Sequence, residues 1–272
     1  MNNKNPDLLV PVLNIPLGGQ TMRPLSRILF FFVFCISLTT VPLSAQTRDK
    51  LEKVNQTPRS LELGHSQGKL NYWLFLPAAY DGKNGTQKWP LMIFLHGHGE
   101  RGDDLAKVKI WGPPKRVASQ SDFPFVLISP QLPDQFHSWQ IGPLQELVKH
   151  SIDTLNVDPD RVYLTGLSMG GRGSWALAAK MPKQFAAVIP ICGGGKLNTA
   201  GKLVDVPIWA FHGDADRVVP VSETTEMVEA IKKEGGEKVK MTIYPGVNHN
   251  SWAQTYANPE IYEWLLQQKR QD

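Results

Sequence analysis

Between Arg161 and Lys180 the chain reads RVYLTGLSMGGRGSWALAAK. Val162–Thr165 is an apolar run of strand character, Gly166 to Gly171 is a turn holding three glycines, and Arg172–Met181 favours helix. No other stretch restricts the fold so tightly. A strand has to run straight into a helix through a turn in which side chains at 166 and 170 would strike neighbouring backbone, so both positions call for hydrogen. Ser168 sits at the apex, in a sparsely populated backbone conformation, with its hydroxyl lifted above the sheet. The N-terminus of the following helix points at the same spot and favours negative charge there.

The rest of the chain repeats this alternation. Apolar runs at Leu70–Leu76, Leu91–Leu95, Phe125–Ser129, Val162–Thr165, Ala187–Pro190, Ile208–Phe211 and Val239–Tyr244 predict strands. Several are continuously apolar, as strands buried on both faces must be. Helices are predicted at Gly142–Leu155, Arg172–Met181, Ser222–Glu234 and Pro259–Gln268. Ser222 with Glu226 offers a helix start, and Gly235-Gly236 a stop. The expected fold class is α/β: a mostly parallel, doubly wound sheet with helices on both faces. Ligands of such sheets sit at the carboxyl ends of the strands.

A serine hydroxyl needs a base beside it to act as a nucleophile. Of the seven histidines, His249 is the best placed: it lies in the polar loop GVNHNSW, after the strand KVKMTIY and before the last helix. His65, His137 and His150 have no such setting and read as surface or loop residues. The base in turn needs a carboxylate. The loop FHGDADRVVP follows the strand PIWAF and offers two. Asp216, further along the loop, is preferred; Asp214 fits a turn-capping role. The resulting chain order is Ser168, Asp216, His249. Donors for a developing oxyanion are expected from the backbone amides of Met169, just after the serine, and of His98 in HGHGERG, with Gly99 as the fallback. His96 and His98 resemble a metal pair, but no further His or Cys stands at ligand spacing, so no metal is expected. No cofactor is called for.

The tryptophans Trp111, Trp139, Trp175 and Trp252 are candidate pocket walls. Trp139 and Trp252, near strand ends or the base loop, are the substrate-pocket candidates; core packing is the competing role. Arg101 and Arg172 could meet an acidic substrate or serve as loop salt bridges.

Charge says little about partners. The chain carries 29 Lys and Arg against 25 Asp and Glu, a net of +4, and outside residues 1–45 the balance is 26 to 24. No basic run interleaved with aromatics suggests nucleic acid. Residues 1–45 read as a leader: Arg23 and Arg27 precede the apolar run ILFFFVFCISL (28–38), and Val41-Pro42-Leu43-Ser44-Ala45 offers a cleavage site after Ala45. Translation is expected to start at Met22. The mature protein is then secreted or periplasmic, with no stable membrane insertion. Residues 46–68 form a linker or edge strand, and 69–272 the catalytic domain. Cys35 leaves with the leader, and Cys192 remains as a small buried side chain.

The segments LHGHGERGDD, GLSMGGRGSW, FHGDADRVVP and NHNSW together resemble the α/β-hydrolase superfamily. Within it they are similar to the phospholipase/carboxylesterase and dienelactone-hydrolase-like group, with its polyhydroxybutyrate-depolymerase-like and feruloyl-esterase-like branches. The resemblance runs from Leu70 to Leu266. It implies that the second aspartate of HGDxD is the acid, here Asp216, and that the residue after the first His-Gly lends an oxyanion amide, here His98. It implies serine carboxylic-ester hydrolysis on a small-molecule or polymer-borne ester. Only Cys192–Val206 separates two strands where a lid would be inserted, so no large lid is expected. The alternatives are a serine peptidase of prolyl-oligopeptidase type and an inactive binding protein on the same scaffold.

Overall fold

The computed structural model describes residues 56–64 and 68–270. The leader, Cys35 and His65 therefore lie outside the described residues. The strands are β1 (Thr57–Glu62), β2 (Lys69–Phe75), β3 (Trp89–Leu95), β4 (Val126–Pro130), β5 (Val157–Leu167), β6 (Ala187–Ile191), β7 (Ile208–Gly213) and β8 (Val239–Tyr244). The helices are α1 (Gly112–Arg116), α2 (Ile141–Thr154), α3 (Met169–Lys180), α4 (Ser222–Lys233), α5 (Trp252–Ala257) and α6 (Glu260–Gln267), with short 3-10 turns at His98–Glu100, Leu105–Ile110 and Leu197–Lys202.

The eight strands form one sheet in the order β1-β2-β4-β3-β5-β6-β7-β8. β1 and β2 are antiparallel at one edge, and every pairing from β4 through β8 is parallel. Strand parity divides the core in two, because successive side chains point to opposite faces. Leu91, Ile93 and Leu95 of β3 join Val162 and Leu164 of β5 in one layer, against Leu147 and Val148 of α2, Leu177 of α3 and Val228 of α4. Met92 and Phe94, with Tyr163, fall in the other layer with Val108, Tyr256, Ile261 and Leu265. Helices thus cover both faces, which is why the strands are continuously apolar.

Helix periodicity behaves as helical geometry requires. α2 buries Leu144, Leu147, Val148 and Ser151, and α4 buries Thr224, Met227, Val228 and Ile231, the same three-and-four spacing. At its end α4 closes with a Schellman motif: Gly235, at φ +96°, donates to the Lys232 carbonyl and Gly236 to that of Ile231. Its start is uncapped; Ser222 is already the first helical residue, and no side chain bonds the free amides. α3 begins three residues earlier than the apolar pattern indicated. Glycine has weak helix propensity, but tertiary packing overrides it at 170 and 171. Between β6 and β7 the chain forms only the turn at Leu197–Lys202, so no helical lid covers that end.

Candidate active site

Ser168 joins β5 to α3 with φ 54° and ψ −115°, a strained conformation for a residue with a side chain. Its amide donates to the Ile191 carbonyl at 2.9 Å, which ties the turn to β6. The glycines around it are forced by close approach. A Cβ on Gly170 would fall on the Leu95 carbonyl and 2.7 Å from the His96 oxygen, and one on Gly166 would lie 2.8 Å from Leu95 O. The turn is therefore pressed against the end of β3, where the His96-Gly97-His98 loop begins.

Three loops distant in sequence meet there. Ser168 Oγ lies 2.9 Å from His249 Nε2, and His249 Nδ1 lies 2.7 Å from Asp216 Oδ2. These partners assign the tautomer: Nδ1 carries the proton toward the carboxylate, and Nε2 is left to accept the serine hydroxyl proton. The Asp216 side chain is fully buried, while that of His249 is 17% exposed. Asp216 is satisfied on both oxygens. Its Oδ1 accepts the amides of Val218 at 2.8 Å and Val219 at 2.9 Å, and its Oδ2 also faces His212 Nε2 at 3.1 Å. Burial pushes this carboxyl upward, but the His249 bond and the two amides outweigh it, so the group lies below the ordinary Asp range.

The acid and base loops are stitched together by backbone. Ala215 donates to the Val247 carbonyl at 3.1 Å and Asp214 to that of Tyr244 at 3.2 Å. The Asn248 side-chain oxygen takes the Arg217 amide at 3.2 Å and the His249 amide at 2.7 Å. Asp214 Oδ1 accepts the Gly246 amide at 2.7 Å, a turn-fixing role away from the imidazole.

Met169 is the first residue of α3, where helix geometry leaves the amide without an intrahelical acceptor. His98 opens the 3-10 turn after β3, with an exposed side chain. That turn is held from outside by Arg101, whose Nε donates to the His98 carbonyl at 3.0 Å and whose Nη1 donates to the carbonyls of Asp134 at 3.0 Å and Phe136 at 2.7 Å. From inside it is held by Glu100, a buried carboxyl pushed upward by burial and pulled back by the Gly97 amide. Arg172 pairs with Glu223 at 2.6 Å. Neither arginine is left free for a substrate anion.

The tryptophans separate. Trp252 sits edge-on to His249, with ring centres 5.3 Å apart, and edge-on to Trp111 at 6.0 Å; its indole N–H is buried without a partner. Trp139 is buried, donates to the His96 carbonyl at 3.2 Å, and lines a cavity of about 340 Å³ with Leu132, Phe136 and Leu144. Trp175 is wholly core, bonded to the Gly193 carbonyl.

His96 is fully buried and turns its ring toward backbone. Its Nδ1 lies 2.6 Å from the Gly97 carbonyl and its Nε2 accepts the Leu132 amide at 3.0 Å, so both nitrogens are engaged. His98 and His137 stack at 6.5 Å on the surface, and His150 lies on α2. The residue that sequence reasoning missed is His212. It is fully buried, its Nε2 donates toward Asp216 Oδ2 and the Val219 carbonyl at 2.9 Å, and its Nδ1 accepts the Thr224 hydroxyl at 2.7 Å. The signal was present: His212-Gly213 repeats the strand-ending His-Gly of His96-Gly97.

The phospholipase/carboxylesterase family model matches residues 123–260. Acyl-protein thioesterase 1 of Debaryomyces hansenii is 27% identical over 124 residues, covering 43% of this chain and 53% of that one. The probable feruloyl esterase C of Aspergillus oryzae is 22% identical over 191 residues, covering 69% and 71%. The crystal structure of a thermostable esterase superposes with a TM-score of 0.68 at 34% identity, covering 79% of this chain and 63% of its own. The chain thus spans about half of the thioesterase and under two thirds of the esterase structure. The elbow at Ser168, the parallel sheet and the matched region place the chain in the phospholipase/carboxylesterase family, on the α/β-hydrolase fold.

Proposed function

We propose that this protein is an exported serine carboxylic-ester hydrolase working through an acyl-enzyme. The observation that carries the reading is the hydrogen-bonded row Ser168–His249–Asp216, at 2.9 and 2.7 Å, on the carboxyl edge of a parallel sheet. In the first step His249 Nε2 takes the Ser168 proton as Oγ attacks the ester carbonyl. The resulting oxyanion is held by the amides of Met169 and His98, each such donor contributing roughly 3 kcal/mol of barrier lowering. The imidazolium, stabilised by buried Asp216, then protonates the leaving alcohol. Water enters, loses its proton to His249, and releases the acid from Ser168. Nothing in this sequence of steps calls for a metal or cofactor.

The substrate is a small-molecule or polymer-borne ester, and no nucleic-acid partner is proposed. Trp252 serves as an aromatic pocket wall beside the base. Trp139 is proposed to support the acyl side through its bond to the His96 carbonyl at the root of the His98 loop, since the cavity it lines holds none of the reacting residues. Export rests on the signal peptide within residues 1–45, read from Met22 and cleaved after Ala45; residues 46–68 then precede the catalytic domain 69–272. Among the described residues no helix is long and apolar enough to cross a membrane.

The test is Ser168→Ala. The variant should fold and lose both hydrolysis of short p-nitrophenyl esters and labelling by a fluorophosphonate probe. Undiminished turnover in this variant would refute the reading, and wild-type protein that takes up no probe would favour a binding protein instead.

A further inference from the structure

The reaction above makes no use of Cys192, although its thiol stands against the reacting row. Cys192 follows β6 in a left-handed conformation, at φ 41°, and is fully buried. Its amide is fixed to the Phe211 carbonyl at 2.8 Å. Its thiol faces the Ser168 backbone, the Ser251 side chain and the Asp216 carboxylate. One ligand atom from each of Cys192, Asp216 and His249 lies within 4.8 Å of the other two. The hydroxyl of Ser251, itself fully buried, lies in the same space with the Cys192 thiol as its neighbour.

We propose that Cys192, Asp216 and His249 form an inhibitory site for a zinc-class divalent cation. One sulfur, one nitrogen and one oxygen are the donors such an ion selects. Bond lengths of about 2.0–2.3 Å around a tetrahedral ion place its ligands roughly 3.3–3.8 Å apart. The three atoms therefore need to close by at most about 1.5 Å, and the Asp216–His249 contact has to open by about half an ångström. His249, partly exposed, is the movable wall through which the ion enters.

The proton accounting explains why occupancy inhibits. The thiol proton leaves to solvent as sulfur binds. His249 binds through Nδ1, so its proton moves to Nε2. Nε2 then donates toward Ser168 Oγ and has no lone pair left to take the hydroxyl proton. The ion thus holds the imidazole in the wrong tautomer. Binding itself depends only on the three side chains; its consequence, inhibition, rests on the proposed function.

The full chain is titrated with cadmium chloride while two signals are followed: the ultraviolet thiolate-to-cadmium charge-transfer band and hydrolysis of p-nitrophenyl acetate. Wild type and Cys35→Ala should show a saturating band, with hydrolysis lost in step. Cys192→Ala and the near-isosteric Cys192→Ser should keep hydrolysis, lack the band, and need at least about tenfold more cadmium for half-inhibition. His249→Ala, at a partly exposed position, should weaken the band by about tenfold or more even if the Cys192 variants misfold. Equal cadmium sensitivity without Cys192, or a band indifferent to both Cys192 and His249, overturns the proposal. A wild type that binds cadmium but hydrolyses no ester sinks the proposed function and leaves the site standing.

Discussion

His212 Nε2 lies 3.1 Å from Asp216 Oδ2, the same oxygen that His249 Nδ1 approaches at 2.7 Å. The buried carboxylate is thus gripped by two imidazoles and two backbone amides, and only one of those four donors belongs to the proposed reaction. Removing His212 should loosen the aim of Asp216 without touching substrate. His212→Leu is expected to lower kcat about tenfold with KM little changed, and to cost roughly 1–3 kcal/mol of stability, because the Thr224 hydroxyl and Val219 carbonyl lose their partner. Steady-state kinetics and urea unfolding of the purified variant check both; an unaltered kcat would remove His212 from any positioning role.

The two aspartates of the acid loop should differ sharply. Asp216→Asn presents an amide N–H to His249 and favours the wrong imidazole tautomer, so kcat should fall by about four orders of magnitude. Asp214→Asn still offers an oxygen to the Gly246 amide and should stay within about threefold of wild type. Similar losses in both variants would show that the loop, not the carboxylate, is what matters.

Packing at the serine turn allows a comparison of two glycines. An alanine methyl at 170 meets the Leu95 carbonyl and the His96 oxygen, both backbone, while one at Gly99 meets nothing within 4 Å. Gly170→Ala should cost roughly 3 kcal/mol or more, and Gly99→Ala should fall within about 0.5 kcal/mol of wild type. Urea midpoints of the two proteins decide it.

Acid sensitivity follows from His96. Burial, slightly countered by the Gly97 carbonyl, lowers its pKa to about 4 in the folded chain. The unfolded chain takes up that proton near the ordinary value of about 6.5, so stability is fully present above that pH and is lost as pH falls toward 4. Between about pH 7.5 and about pH 5 this one residue should remove about 2 kcal/mol. Asp216, held below its ordinary range, adds its loss only at lower pH. Unfolding midpoints at the two pH values should converge in His96→Asn, whose side chain does not titrate; an unchanged pH dependence would contradict the assignment.

Arg101 braces the His98 loop, proposed to lend an oxyanion amide, through three carbonyls rather than through any anion. Lysine cannot reproduce that planar fork. Both Arg101→Lys and Arg101→Ala should therefore lower kcat about tenfold and leave KM near its original value. A variant that changed KM alone would place the guanidinium at the substrate instead.

What could be read in advance was whatever rests on local chemistry. Continuous apolar runs such as Leu91–Leu95 identify strands buried on both sides, and the spacing of Thr224, Met227, Val228 and Ile231 marks one helical face. The glycines at 166 and 170 announce a turn too tight for side chains, whatever surrounds it. Ser168, Asp216 and His249 were nameable because each follows a strand, and parallel strands send all such loops to one edge.

The tertiary structure decided what local pattern could not express. α3 starts at Met169, through glycines of low helix propensity, because Leu95 and Ile191 press on the turn from both sides. His212 had no role legible in the linear chain until folding brought Asp216, Val219 and Thr224 around its ring. Cys192, silent as a lone cysteine, gained neighbours from residues at 168, 216 and 251. Periodicity and turn chemistry are encoded over a few residues and survive in the linear chain. Which buried polar groups share a partner depends on contacts dozens of residues apart, and those exist only once the sheet is assembled.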